Sequence, residues 1–324
     1  MAMPVISSMA KMGIAAIAAG VVLYMYEKER QRLEQQLQLA IEKREVERRG
    51  RVKAEQAMRK SIKAKRERDG HVFSTIGTIR SCYPTRNGCP RQPQLVPNGR
   101  AMLKLASKIP SASLESLETF SHCWILFVFD ENTNAHHSLQ NRTTFKAKVK
   151  PPQLDGKKVG LFSTRTPHRP NPIGLSVAKI ARVDCNNREI YFCGIDIVHG
   201  TSVLDIKPYV PFDIVLKTML TVPSWVDNND IFRPLKVIFD NEEDRERLIT
   251  YVKNGNSELY GKADYNDFLE SIEQMLSLDI RSKNQGRGDR TVSREYSCNF
   301  DSKRLELRFV TKEDGVHIVQ TQIT

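Results

Sequence analysis

Apolar and polar positions divide the chain into four stretches of different texture. From Met12 to Tyr26 no residue is charged, and residues 14–26 read IAAIAAGVVLYMY. A bilayer core asks a helix for about 20 apolar residues. Counting back to Val5, with Lys11 reaching for the interface and Tyr24 and Tyr26 seated at it, makes the run long enough, so residues 1–26 are expected to be a membrane anchor. A cleaved targeting sequence is the alternative, although the stretch lacks the arginines of a transit peptide. Lysines and arginines are frequent after Tyr26, which predicts that the remainder faces the cytoplasm. Residues 27–70 are rich in Glu, Lys, Arg and Gln and contain no proline, so a charged helical stalk is expected there. Its apolar positions (Leu33, Leu37, Ile41, Val46, Val52, Met58, Ile62) keep no clean heptad; a solvated spacer is the plain expectation and a weak dimerising coiled coil the sharper one.

The texture changes at His71. HVFSTIGTIRSCYP alternates and is β-branched, as a strand ended by Pro84 would be, and Arg86 to Gly99 reads as a loop. An amphipathic piece follows at Met102 to Ile109. Cys123 to Phe129 is continuously apolar, as expected of a central strand buried on both faces, with Asp130 and Glu131 at its end. Further strands are expected at Lys158 to Ser163, Val177 to Val183, Glu189 to Asp196 and Ile214 to Leu220. Their number and short spacing predict a mainly β, barrel-like domain over residues 71–220. Helical patterns at Glu242 to Lys253 and Tyr265 to Leu278, then strands at Tyr296 to Phe300, Leu305 to Val310 and His317 to Gln320, predict a small α+β domain over residues 221–324. Gln285 to Arg290 (QGRGDR) reads as a flexible connector that could also touch an RNA backbone.

Composition narrows the function. With 324 residues and 40% hydrophobic content the chain can bury a sizeable core. The net charge is +12, of which residues 1–70, with 16 basic against 9 acidic side chains, hold +7, leaving +5 for the rest. That excess permits an RNA partner without requiring one. The six cysteines form no CxxC pair and no zinc-deaminase signature, so neither a zinc site nor any other metal is expected; free thiols in a reducing compartment are. No GxGxxG follows a strand and no P-loop occurs, which leaves a Rossmann enzyme without support.

The most constrained segment is Leu161 to Ser176, LFSTRTPHRPNPIGLS. Pro167, Pro170 and Pro172 fix their own φ and restrict the residue before them, so the loop is stiff. Arg165, His168, Arg169 and Asn171 lie between or beside them and offer forked cations, an imidazole and an amide, a set suited to gripping an anionic ligand. Together with PRQPQL (Pro90 to Leu95), ETFSHCWILFVF (Glu118 to Phe129), VKPPQLDG (Val149 to Gly156) and GIDIVHGTSVLDIKPYVPF (Gly194 to Phe212), this segment resembles the TrmO or TsaA-like family, whose members are S-adenosylmethionine-dependent tRNA methyltransferases. The resemblance is dense from Ile76 to Phe212 and weaker beyond, where Asp279-Ile280-Arg281 stands in place of the family's Asp-Pro-Arg turn.

The resemblance implies methyl transfer to N6 of a threonylcarbamoylated adenosine beside the anticodon, with tRNA as partner and a homodimer that builds the cofactor site near its interface. For S-adenosylmethionine it implies Pro93, Gln94, Leu95, Asp130, Glu131, Arg165, Leu175, Cys193, Gly194, Ile195 and Asp196. Backbone groups would read adenine, Asp130 or Glu131 the ribose, and Arg165 the methionine carboxylate. Candidate catalytic residues are Asp196, Asp205, Lys207 and His168. Asp205 and Lys207 alternate on an extended chain and share a face, where pairing with each other is the ordinary outcome. Arg169, Asn171 and Lys207 are candidate substrate contacts, since the extra carboxylate of the modified base would want a cation. A noncatalytic tRNA-binding barrel, or a membrane scaffold that kept the barrel, are the competing expectations.

Overall fold

The computed structural model divides the chain into two units, Met1–Val72 and Phe73–Thr324. It describes every residue except 1–3, 70–71, 132–144, 152–153, 155, 216–218, 228–233, 283–284, 290–293 and 324, together with the side chains of 4–19, 64–69 and 302. The first unit is one helix, α1 (Pro4–Asp69), whose described side chains are all exposed. Glu45 and Arg49 pair at 3.0 Å and Arg30 and Glu34 at 3.6 Å, four residues apart on one face, the spacing that supports an isolated helix. Among the described residues no helix is long and apolar enough to cross a membrane. The uncharged run Met12 to Tyr26 extends about 22 Å as helix against a hydrocarbon core of about 30 Å, and the charges of Glu27 and Lys28 follow at once. Most of the expected anchor, and Met1 to Met3 entirely, lies outside the described side chains.

The second unit is built on β1 (Gly77–Ser81), β2 (Arg100–Leu105), β3 (His122–Val128), β4 (Lys148–Val149), β5 (Val159–Gly160), β6 (Ile173–Asp184), β7 (Glu189–Cys193) and β8 (Ser202–Pro208). Six of these close into an antiparallel barrel, in the order β1, β2, β7, β6, β3, β8 and back to β1, while β4 and β5 form a separate hairpin. Closure removes the edges that a six-stranded open sheet would expose. Inward positions alternate along each strand: Ile79, Leu103, Cys123, Ile125, Phe127, Ala178, Ile190 and Phe192 fill the interior.

Two expectations change here, for Cys123 to Phe129 and for Ile214 to Leu220, and the amphipathic piece at Met102 takes a definite form. Cys123 to Phe129 is not a strand buried on both faces; only Cys123, Ile125 and Phe127 are inside, and His122, Trp124, Leu126 and Val128 sit partly exposed on the outer wall. The segment around Met102 is a strand, because pairing with β1 on one side and β7 on the other outweighs the helical preference of Ala, Met, Leu and Lys. The closing strand is Ser202–Pro208; Ile214 and Val215 are not in a strand, and residues 216–218 fall outside the described set.

After α2 (Ser224–Asp227), β9 (Val237–Phe239) leads into α3 (Glu242–Lys253) and α4 (Tyr265–Ser277), then β10 (Glu295–Phe300), β11 (Ser302–Lys312) and β12 (Gly315–Ile323). The sheet order is β10, β11, β12, β9, with β9 parallel to β12. Asn241 starts α3, its side-chain oxygen accepting from Glu243 N–H at 3.0 Å, and Glu242, Glu243 and Asp244 favour the positive helix end. Barrel and C-terminal layer share one core in which Tyr83 meets Phe300 edge-on. Arg100 ties them with ion pairs of 2.6 Å to Asp264 and 2.7 Å to Asp267, its guanidinium lying 4.8 Å above the Tyr260 ring. All six cysteines are free, and burial pushes the Cys82, Cys123 and Cys298 thiols up to about 12.

Candidate active site

Antiparallel closure brings the C-terminal ends of β3 and β7 and the N-terminal ends of β6 and β8 to one rim of the barrel. The proline-braced loop enters this rim through Pro172, whose carbonyl accepts from Phe129 N–H at 2.8 Å. Gly174 follows opposite Phe127, where a Cβ would stand 2.2 Å from the ring carbon Cζ. Only glycine lets the strand pass so close, so the loop's exit is fixed by the barrel core.

From this loop Arg165 donates through Nη1 to the Gln92 side-chain oxygen at 3.0 Å. That bond joins the loop to the short 3-10 turn Pro93–Leu95. Gly194 backs the same turn at φ +65°, a left-handed conformation that favours glycine; a Cβ there would lie 3.5 Å from the Pro93 carbonyl oxygen. Two residues on, Asp196 accepts from the Ser176 hydroxyl at 2.5 Å. Burial raises the Asp196 carboxyl above its ordinary value, and the Ser176 hydrogen bond and the Arg165 charge oppose the rise. Arg165, Gln92, Pro93, Leu95, Gly194, Asp196 and Ser176 therefore form one connected cluster, with Ile195 buried between Gly194 and Asp196.

Asp130 and Glu131 border the same rim and are held by the segment that leads into β8. Asp130 Oδ2 accepts from Ser202 N–H at 3.2 Å, and Glu131 packs against Gly200, whose added Cβ would be 3.5 Å from the Glu131 carboxyl carbon. Gln94 is exposed and Cys193 half-buried at the end of β7.

The remaining candidates lie elsewhere. Leu175, Asp205 and Lys207 occupy the outer wall: Leu175 and Asp205 flank Leu126, and Lys207 pairs with Trp124 across the ladder. Asp205 and Lys207 bind each other at 2.7 Å with both side chains largely exposed, so the mutual pairing expected of alternate positions is what occurs. His168 and Asn171 are exposed on the loop. Arg169 turns back onto it, donating to the Thr164 carbonyl at 2.8 Å and lying 5.3 Å over the Phe162 ring. Among the described residues no group of three His, Cys, Asp or Glu is placed to hold a metal.

Neither Gln92 nor Ser176 is among the site residues expected from sequence. Ser176 carried a usable signal: it is the one hydroxyl among the inward positions Gly174, Ser176 and Ala178, where a polar group asks for a partner. Gln92 stood inside the PRQPQL motif without a visible ligand role.

Residues 78–213 match the family model described as the tRNA-methyltransferase O N-terminal domain. A probable S-adenosyl-L-methionine-binding protein of Pyrococcus abyssi is 30% identical over 158 residues, which cover 48% of this chain and 77% of that protein. The chain belongs to the TrmO family. A tRNA (adenine(37)-N6)-methyltransferase of Homo sapiens is 46% identical over 152 residues, 46% of this chain and 32% of the relative, so the chain spans about a third of the human relative's length. The crystal structure of TrmO from Pseudomonas aeruginosa superposes with a TM-score of 0.57 at 27% identity, covering 78% of this chain and 97% of that one. The family barrel is therefore the six-stranded closure described above.

Proposed function

We propose that the protein is an S-adenosylmethionine-dependent tRNA methyltransferase that modifies N6 of threonylcarbamoyladenosine next to the anticodon. The observation that carries it is the Arg165–Gln92 bond, which joins the proline-braced loop to the Pro93–Leu95 turn beside a half-buried carboxylate, Asp196. The donor set suits the cofactor. Arg165 would take the methionine carboxylate with its forked guanidinium, the backbone of Pro93–Leu95 and Gly194 would face adenine, and Asp130 or Glu131 would accept from the ribose hydroxyls. Bound there, the cofactor supplies an electrophilic methyl on a cationic sulfur.

The chain's own groups would align the adenine nitrogen with that methyl and take the proton that N6 loses. Asp196 suits the second task, because burial makes its carboxylate a stronger base than a solvated one. Arg169 and Asn171 on the loop would meet the carboxylate of the threonylcarbamoyl group; His168 would help orient it. Asp205, Lys207 and Leu175 belong to a different part of the proposal. They lie on an outer wall with Trp124 and with Ile173, which is 44% exposed, and Asp213, hydrogen-bonded to Trp124, leads to Ile214 and Val215, 57% and 63% exposed. So much apolar surface on one wall suits a second copy of the chain, which supports a homodimer. The N-terminal helix would attach the enzyme to a membrane on its cytoplasmic side, through the uncharged run before Glu27, and a stalk pairing would reinforce the dimer. Detergent-free fractionation of cells checks the attachment.

The test of the activity is transfer of a labelled methyl group from S-adenosylmethionine to tRNA carrying threonylcarbamoyladenosine, read by nucleoside mass spectrometry. A methylated product on that nucleoside supports the proposal; a full-length, folded protein that makes none refutes it.

A further inference from the structure

Beside the proline-braced loop lies a concavity of about 1110 Å³, bounded by the β4–β5 hairpin and by Thr166, His168 and Arg169. Its charged lining is of one sign. Lys146, Lys148 and Lys150 line it from the first arm, all exposed, Lys158 comes from the second arm, and Arg169 closes the loop side. The ladder pairs Lys148 with Gly160 and Val149 with Val159, and Lys150 and Lys158 adjoin the last pair on the two arms. Like charges brought together across a hairpin destabilise it. None of the four lysines has a carboxylate within ion-pair distance among the described residues, in a chain whose stalk, barrel and C-terminal layer repeatedly pair their cations.

A hairpin whose lysines meet no carboxylate among the described residues, and which keeps them exposed in a concave surface, is matched to a polyanion. We infer that this groove binds the phosphodiester backbone of the RNA substrate and delivers the target nucleotide to the neighbouring rim. The inference rests on the tRNA proposal above and adds to it a docking track outside the candidate cofactor cluster. Two features favour RNA over an anionic membrane. The surface is a trough rather than a plane, and Phe145, 53% exposed at its edge, offers a ring on which an unpaired base can stack. The loop residues that line it, Thr166, His168 and Arg169, also link it directly to Arg165, so a strand lying in the trough ends next to the cluster.

The test compares the full chain with the variant K146A/K148A/K150A and with its conservative counterpart K146R/K148R/K150R. Binding of fluorescent tRNA is measured between 50 and 200 mM salt, and S-adenosylmethionine binding is measured by calorimetry. Loss of three phosphate contacts should lower the slope of log affinity against log salt by about 2 to 3 and weaken binding at 0.15 M roughly 50- to 150-fold. The arginine variant should bind as the parent does, and cofactor affinity should stay within about twofold in both. The inference is overturned if the alanine variant keeps the parent's slope and affinity, if the parent binds no tRNA, or if the variant loses only binding to vesicles containing phosphatidylserine. The two proposals fail separately: salt-dependent tRNA binding through these lysines without methyl transfer sinks the enzymatic proposal alone, and methyl transfer undiminished in the alanine variant sinks this one alone.

Discussion

Replacing Asp301 by Asn should stabilise the protein at neutral pH and have little effect in mild acid. Asp301 sits at the tight turn between β10 and β11, at φ +59°, and its N–H donates to the Cys82 carbonyl at 2.7 Å, which pins the C-terminal sheet to the barrel. Burial lifts its carboxyl from 3.8 to about 6, against the hydrogen bonds from Tyr251 and Ser257 that favour the ionised form. A native pKa above the unfolded one means that the folded state holds a proton which the unfolded state has already released. Stability from this group is fully present below about pH 4 and is lost as pH rises through about 6. Two pKa units at 1.36 kcal/mol each give about 3 kcal/mol between those limits. The amide cannot ionise, and its geometry is acceptable: Ser257 can still donate to the amide oxygen, while Tyr251, which also reaches the Asn256 carbonyl at 3.2 Å, can donate there and accept from the new NH₂. Thermal melting of parent and variant from pH 4 to 8 is the assay. For a unit of this size about 3 kcal/mol corresponds to roughly 6 to 12 °C, with the variant ahead at pH 7.5 and level near pH 4. A difference that does not change with pH, or a variant that melts lower at pH 7.5, would refute the reasoning.

Gly174→Ala should cost about 1 to 3 kcal/mol, because the new methyl meets the Phe127 ring at 2.2 Å in a closed barrel with no room to yield; denaturant unfolding checks it, and an unchanged midpoint contradicts it. Asp279→Ala should be more damaging, about 3 kcal/mol or above. It strands the buried Arg281 guanidinium, held at 2.7 and 2.8 Å by Asp279, and releases Gly288 N–H from the same carboxylate. A melting temperature within about 1 °C of the parent would show that Arg281 finds another partner.

Much of this architecture could be read along the chain, and the failures have physical causes. Helix α3 spans the expected Glu242–Lys253, and its start coincides with the cap that Asn241 supplies, because capping is local chemistry. The barrel strands around the motifs were legible for a similar reason, since inward and outward positions alternate. β2 was not, because its residues prefer helix in isolation and only its two partner strands decide otherwise. The all-apolar β3 was read as doubly buried, and sequence cannot tell a covered outer wall from a bare one. At the site, the proline-rich loop announced itself. What escaped was the split between rim and wall. Asp196 turns to Ser176 at the rim while Asp205 and Lys207 face outward, a separation set by the strand parity of β8 and by the register shift between Leu126 and Phe127.

The proposed cofactor site joins Arg165, the Gln92–Leu95 turn and Asp196. Calorimetric titration of S-adenosylmethionine into the full chain and into Arg165→Ala tests it most directly. Saturable one-site binding by the parent, weakened at least about tenfold in the variant with its melting temperature unchanged, is the predicted result, a loss of about 1.4 kcal/mol or more that fits a charge-assisted contact. Equal affinity in the two proteins, or no binding by the folded parent, would contradict it.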